Sequence, residues 1–327
     1  MQIRFLPCAT LALTMAAGCL PAAAQTQPAA PAAPAPLPAA PGAAEGPKFP
    51  PVSAANFTAP SPTKAEVDAF LHSSWGYDPD RTWEVYAIQK TPAPGLSKVL
   101  VLVGEKPNPR VGNMSFYVTP DGHHLIAGNS VIDFGAHPFE ANYRLLQQRA
   151  SGPSRGAPGK QFELVEFADF ECPHCRDAQP LVKKLMADFP QAHYVFEMFP
   201  LVSIHPMAFK AAAFASCVNE QAGNAAFFKY ADAVFAAQAE LEGPDGTLAL
   251  RNAATGIGLD PDKIAACADS PATRAKVDSS MQLGQDLSVD STPTLFIDGR
   301  AVPMMELPYD QLKKIISWQF ATDQDAQ

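Results

Sequence analysis

The sequence predicts an α/β protein, and three observations carry that reading. An apolar run from Phe162 to Ala168 suits a strand buried on both faces, and it is soon followed by Ala178, Leu181, Val182, Leu185, Met186 and Phe189, one stripe on a 3.6-residue period. Far downstream, Thr294 to Asp298 and Ala301 to Met304 flank Asp298-Gly299, a pair that favours the primed turns of β-hairpins. Between these two parts, residues 205–287 read as a helical insertion. Ahead of them the composition changes twice, first a Pro/Ala-rich linker and then a small α+β module.

In chain order, residues 1–24 pair Arg4 with an apolar run and end on three alanines, the pattern of a signal peptide cut before Gln25. Two other fates stay open. Ala16-Ala17-Gly18-Cys19 loosely matches a lipid-attachment box, which would place a lipid anchor on Cys19, and the 20 uncharged residues from Phe5 to Ala24 are long enough to remain as a membrane anchor, although Pro7 and Pro21 oppose a lasting span. Each fate takes the chain out of the cytoplasm, to a periplasmic or other extracytoplasmic site. Residues 25–55 form the linker, with nine prolines between Pro28 and Pro51; such text cannot bury a core and should run as a semi-rigid spacer. Residues 56–150 read as the α+β module: a helix opened by Ser61-Pro62 and carrying Ala65, Val67, Phe70 and Leu71, strands at Trp83 to Ile88, Val99 to Val103 and Met114 to Val118, a turn at Pro120-Asp121-Gly122, and His124 to Ala127 after it. Pro138 to Arg149 reads as a helix, and Ser151 to Gly159 as a flexible joint by composition.

The second domain, 159–322, starts with the strand and helix around Cys172. His193 to Pro200 is expected to lie parallel to the first strand, as a crossover connection requires. Met207 to Cys217, Ala225 to Ala237, Leu248 to Gly256, Pro261 to Cys267 and Thr273 to Leu283 supply the inserted helices. Leu312, Ile315, Ile316 and Phe320 mark a closing amphipathic helix.

A chain of 327 residues with 47% hydrophobic content has room for two packed cores. Its net charge of −9, without a basic patch, excludes nucleic acid as a partner class. The chemistry concentrates in Cys172-Pro173-His174-Cys175, between strand and helix. Two cysteines at this spacing close a small disulfide ring, and the first sits where unpaired helix N–H groups and the dipole favour a thiolate. The same spacing is also half of a tetrahedral zinc site; the remaining cysteines, Cys217 and Cys267, stand singly, so the second half is missing and no metal is expected. Cys172 is therefore the expected nucleophile and Cys175, one turn deeper, the resolving thiol. An imidazole of His174 facing the sulfur would further stabilise the thiolate and make the disulfide more oxidising; the other reading is a surface histidine. Cys217 and Cys267, an even remainder in an oxidising compartment, read as a structural disulfide, with two buried free thiols as the alternative. The remaining histidines lack ligand spacing, and Glu163 and Glu171 read as solvated.

The strand, the CPHC pair, the FPL…IHPMA segment, the helical insertion and Thr292-Pro293 before TLFID together resemble the DsbA family of thiol:disulfide oxidoreductases in the thioredoxin superfamily. The resemblance implies a thioredoxin fold and an enzyme that exchanges disulfides with unfolded or reduced secreted proteins, needs no cofactor, and is recycled by a membrane redox partner. It assigns Glu166 to a buried carboxylate that relays a proton for Cys175, and Thr292-Pro293 to a cis-proline loop that pairs with extended substrate. The text TPAPGL…FYVTPDGHHLIAGNSVID in the module resembles the dimerisation part of the DsbC and DsbG isomerases, which implies a homodimer through 56–150 and an isomerase as the alternative function; a cap packed on the catalytic domain is the other reading of that module. From another class altogether, a redox-inert adaptor or metal chaperone on the same fold would also fit.

Overall fold

The computed structural model describes residues 46–128 and 130–325. The expected signal peptide, Cys8, Cys19 and most of the expected Pro/Ala-rich linker lie outside the described residues.

The first sheet follows helix α1 (Lys64–Trp75) and is an antiparallel meander of β1 (Arg81–Lys90), β2 (Ser97–Glu105), β3 (Asn108–Val118), β4 (His124–Ala127) and β5 (Ser130–Asp133), in that spatial order. Helix α1 starts later than the Ser61-Pro62 signal suggests. Its cap is Thr63, whose hydroxyl accepts the Glu66 N–H at 3.2 Å while Glu66 accepts the Thr63 N–H at 2.7 Å, a reciprocal capping box. Val67, Phe70 and Leu71 then cover Val85, Val99, Val101, Phe116 and Val118. The fifth strand went unread because its text is short and ends in a glycine-flanked stretch with no alternation of its own.

Helix α2 (Glu140–Arg149) leads to the second sheet, built from β6 (Ser154–Gly156), β7 (Glu163–Ala168), β8 (His193–Met198), β9 (Thr294–Ile297) and β10 (Arg300–Val302) in the order β10-β9-β7-β8-β6. Helix α3 (Pro173–Asp188) connects β7 to β8, which pair in parallel; the other pairings are antiparallel. The insertion holds α4 (Ala208–Ala236), α5 (Gly246–Gly256), α6 (Pro261–Ala268) and α7 (Pro271–Asp286), and α8 (Tyr309–Asp325) closes the chain. Inside α4, Gly223 has φ 76° and ψ 178°, so two expected helices run on through a break that only glycine accommodates without strain.

Composition misreads residues 151–159. They hold the edge strand β6, fixed by Ser151 and Gly152 N–H groups donating to the buried Glu197 carboxylate at 2.7 Å each and by Phe196 N–H donating to the Pro153 carbonyl at 2.9 Å. Glycine and serine loosen a segment only when no distant acceptor claims their N–H groups.

The sheet separates two apolar layers. Leu164, Ala168, Phe196 and Leu295 face α3, α4 and α8, whereas Val165, Phe167, Val195 and Phe296 face Leu146 of α2 and Leu283 of α7. The hairpin turns at Asp298 (φ 43°) and Gly299 (φ 85°), positive at both positions as a primed turn demands. A Cβ on Gly299 would meet the Phe139 carbonyl at 2.3 Å, so the turn also lets α2 approach. Next to it, buried Arg300 donates to the carbonyls of Ser73 and Ser74 at the end of α1 and lies 4.3 Å from the Phe139 ring, linking the first module to the second sheet. The two modules thus share contacts within one compact unit.

Candidate active site

Cys172 is the N-cap of α3 and Pro173 its first residue, the position where a missing N–H costs nothing. Both thiols are free, and Cys175 is fully buried while Cys172 is 5% exposed. The loop that presents them is clamped from several sides. Gln238, in the turn after α4, donates to the Phe170 and Cys172 carbonyls at 2.8 and 2.9 Å. Asp169, buried two residues before Glu171, accepts the Glu171 N–H at 2.8 Å, the Leu201 N–H at 2.8 Å and a hydrogen bond with His205 Nδ1 at 2.7 Å. Glu171 in turn accepts the Met207 N–H at 2.6 Å, at the start of α4. Opposite, the Thr292–Pro293 peptide is cis, and the Thr292 carbonyl accepts the Cys172 thiol at 3.3 Å.

This arrangement splits the two thiols electrostatically. The Cys172 thiol is brought down to about 5, chiefly by the hydrogen bond from Cys175, then by the Thr292 side chain and the backbone N–H groups of Cys175 and His174, against the opposing effect of burial. Cys175 is pushed well above the ordinary thiol value by burial, by Cys172 and by the Glu166 charge. One sulfur is thus a stable thiolate and the other a stable thiol. Glu166, fully buried on β7 beneath them, is raised to about 7 by burial, with Tyr194, Arg155 and Gln179 opposing.

A family model described as Thioredoxin matches residues 149–317. The chain belongs to the thioredoxin family. Among curated relatives, a 146-residue stretch, 45% of this chain, is 34% identical to the Na(+)/H(+) antiporter NhaA 3 of Salinispora tropica and spans 21% of that protein, so the chain covers about a fifth of the relative's length. Among solved structures, a thioredoxin-like oxidoreductase from Silicibacter pomeroyi is 24% identical, with 53% of this chain and 94% of that one covered at a TM-score of 0.45. The thiol-disulfide exchange protein alpha-DsbA2 of Wolbachia pipientis is 21% identical, with 54% and 95% covered at a TM-score of 0.44.

Within the thioredoxin-family site, Cys172, Cys175, Thr292 and Pro293 come together, with Glu166 below. His174 is exposed and lines a groove of about 600 Å³ with Thr292, Pro293, Val302, Met305 and Glu306, and its backbone N–H helps lower the Cys172 thiol. Cys217 and Cys267 form a disulfide with Cα atoms 6.0 Å apart, tying α4 to α6 away from the thiol pair. Glu163 and Glu171 are 1% and 4% exposed, which corrects their expected solvation; Lys160 and Gln147 meet Glu163, and the start of α4 meets Glu171. Sequence reasoning missed Asp169, Gln179, Tyr194, Gln238 and Arg155. Tyr194 alone carried a signal: it lies two residues into the strand expected beside Glu166. Among the described residues no group of three or more His, Cys, Asp or Glu side chains is placed to hold a metal, and no helix is long and apolar enough to cross a membrane.

Proposed function

We propose that the protein is an exported, DsbA-like thiol:disulfide oxidoreductase that oxidises cysteine pairs in unfolded or reduced proteins. The observation that carries this is the split between Cys172, whose thiol lies at about 5, and Cys175, pushed far the other way. A stabilised thiolate is both a good leaving group and a stabiliser of the reduced enzyme, so the disulfide form is a strong oxidant. In the cycle, a substrate thiolate attacks Cys172 of the Cys172–Cys175 disulfide, the S–S bond breaks, and Cys175 leaves and takes a proton from Glu166. A second substrate thiolate then attacks the substrate sulfur of the mixed disulfide. The substrate disulfide forms, Cys172 departs as thiolate, and the enzyme holds the two electrons.

A disulfide between Cys217 and Cys267 and the signal-like residues 1–24 support an extracytoplasmic setting, where a membrane oxidant would restore the active pair. The groove beside Pro293, walled by Val302 and Met305, supports an extended polypeptide as the substrate. The module 56–150 is read as a cap, supported by the Arg300 contacts to Ser73 and Ser74. An isomerase of DsbC or DsbG type is the second reading, favoured by the resemblance of that module and by Thr292 before Pro293.

The test is thiol titration of the purified chain before and after reduction, with Cys175→Ser as the trapping variant. A redox-active pair at Cys172 and Cys175, and mixed disulfides accumulating on Cys172 in the variant, are expected. No redox-active pair would leave an inert adaptor or metal chaperone instead.

A further inference from the structure

Glu166 is surrounded by groups that outline how a carboxyl in an apolar core can still work as a base. From β8, the Tyr194 hydroxyl donates to Glu166 Oε2. From α3, Gln179 Nε2, one turn past Cys175, donates to Glu166 Oε1 at 3.4 Å and to the Cys175 carbonyl at 3.1 Å. From β6, Arg155 is the register partner of Tyr194, and its guanidinium lies 4.9 Å from the Tyr194 ring and 4.4 Å from the Phe228 ring. Arg155 Nε and Nη2 are buried and make no hydrogen bond, so no carboxylate in contact with them cancels that charge locally. From β9 the register partner of Glu166 is Leu295, which is apolar. The titratable groups facing Glu166 are therefore Cys175, Tyr194 and Arg155.

A carboxyl with full burial and no compensation stays protonated at neutral pH and cannot accept a proton from Cys175. Tyr194, Arg155 and Gln179 all favour the ionised form, and Tyr194, itself pushed up by burial and by Glu166, remains a hydroxyl donor throughout. We propose that Tyr194, with Arg155 stacked on its ring, is a positioning pair that holds Glu166 ionisable beneath Cys175, so that it can take up the Cys175 proton in the resolving step. The proposal rests on the reading given above of Glu166 as the group that exchanges a proton with Cys175, here in the accepting direction. In that step the Cys175 proton passes to Glu166, the Cys175 sulfur attacks Cys172 of a mixed disulfide, the Cys172–Cys175 bond forms, and the partner sulfur leaves with the electron pair.

The experiment uses the full chain and 5,5′-dithiobis(2-nitrobenzoate). The reagent attaches to Cys172 with release of one chromophore, and attack by Cys175 releases the second; the rate of that second release is followed against pH. In the wild type it should rise through an inflection near 7, the value at which Glu166 ionises. Tyr194→Phe removes a donor from a charged acceptor and should move the inflection up by about one pH unit, slowing the step about fivefold at neutral pH. Arg155→Met should move it the same way, and Arg155→Lys, which keeps the charge, should restore it. Glu166→Gln should abolish the inflection. If Glu166→Gln leaves the profile intact, the proton-acceptor reading is wrong; if it abolishes the inflection while Tyr194→Phe and Arg155→Met keep the wild-type profile, the positioning pair is wrong. Should Tyr194→Phe fail to fold, the contrast between Arg155→Met and Arg155→Lys decides alone, because both remove the native side chain and only one removes the charge.

Discussion

At the scale of single residues, two ionisable groups should leave opposite marks on stability. The Cys172 thiol ionises at about 5 in the folded chain, below its unfolded value of ~8.5, so its contribution is complete above the unfolded value and is lost as pH falls through 5. Denaturant midpoints of reduced and oxidised protein, compared from pH 4.5 to 7, should shift in favour of the reduced form by roughly 2–3 kcal/mol. A gap that does not move with pH would contradict the thiolate. Glu166 behaves the other way, because its folded value of about 7 lies above the ordinary 4.5. Its protonated form costs nothing below 4.5, and stability is lost as pH rises through 7. Glu166→Gln should therefore gain on the order of 3 kcal/mol over wild type at pH 8 and nothing at pH 4, as read by urea titration. Cys172 and Cys175 were legible in the sequence as a pair by spacing and residue type, and Pro293 only through the family resemblance. Gln238 and Arg155 were not: each acts through one long-range contact, and nothing near either in the chain marks it.

At the scale of elements, the helices of the insertion hold the active loop, and the disulfide holds the helices. Cys217 on α4 and Cys267 on α6 close a loop of 50 residues, and Thr273 on α7 donates its hydroxyl to the Cys267 carbonyl at 2.9 Å beside them. Opening a loop of that length costs about 4 kcal/mol on the chain-entropy account, less any strain relieved. Replacing both cysteines by Ala should lower the midpoint by an amount near this, while the Cys172 titration stays in place, since the groups that lower the Cys172 thiol are Cys175, Thr292 and the backbone N–H groups of Cys175 and His174, none of which belongs to the bridge. Loss of the low Cys172 value in that variant would mean that the bridge also shapes the site. Period and turn chemistry made α3, α8 and the β9–β10 hairpin readable before the fold was known. Edge strand β6 was hidden because its order comes from Glu197, more than forty residues away, whereas the Gly223 break falls in the gap between the expected helices Met207 to Cys217 and Ala225 to Ala237.

At the scale of the whole molecule, the two proposed directions of the chemistry differ in what they require of the first module. An isomerase needs a reduced pair shielded from the oxidant, and pairing of two chains is one way to shield it. Here α1 is tied to the catalytic sheet within a single chain: Arg300 reaches the Ser73 and Ser74 carbonyls, Gln319 accepts from Arg300 Nε at 3.3 Å, and the His72 ring meets Trp318 edge-on at 5.1 Å. None of this was legible in the sequence, where Arg300 reads as an ordinary charge after a hairpin turn. On the proposed reading, a module engaged in this way acts as a cap and leaves the Cys172 groove open to reduced polypeptides, so the chain should sediment as a monomer, oxidise a reduced substrate readily and rescue a scrambled one poorly. Arg300→Ala removes a buried fork of hydrogen bonds and should cost about 2–4 kcal/mol and admit protease to the segment between α1 and β6, with the Cys172 titration unchanged. A dimer that repairs scrambled substrate, and whose Arg300→Ala variant is as stable as wild type, would reverse the assignment from oxidase to isomerase, because it would show the module serving a second chain rather than its own.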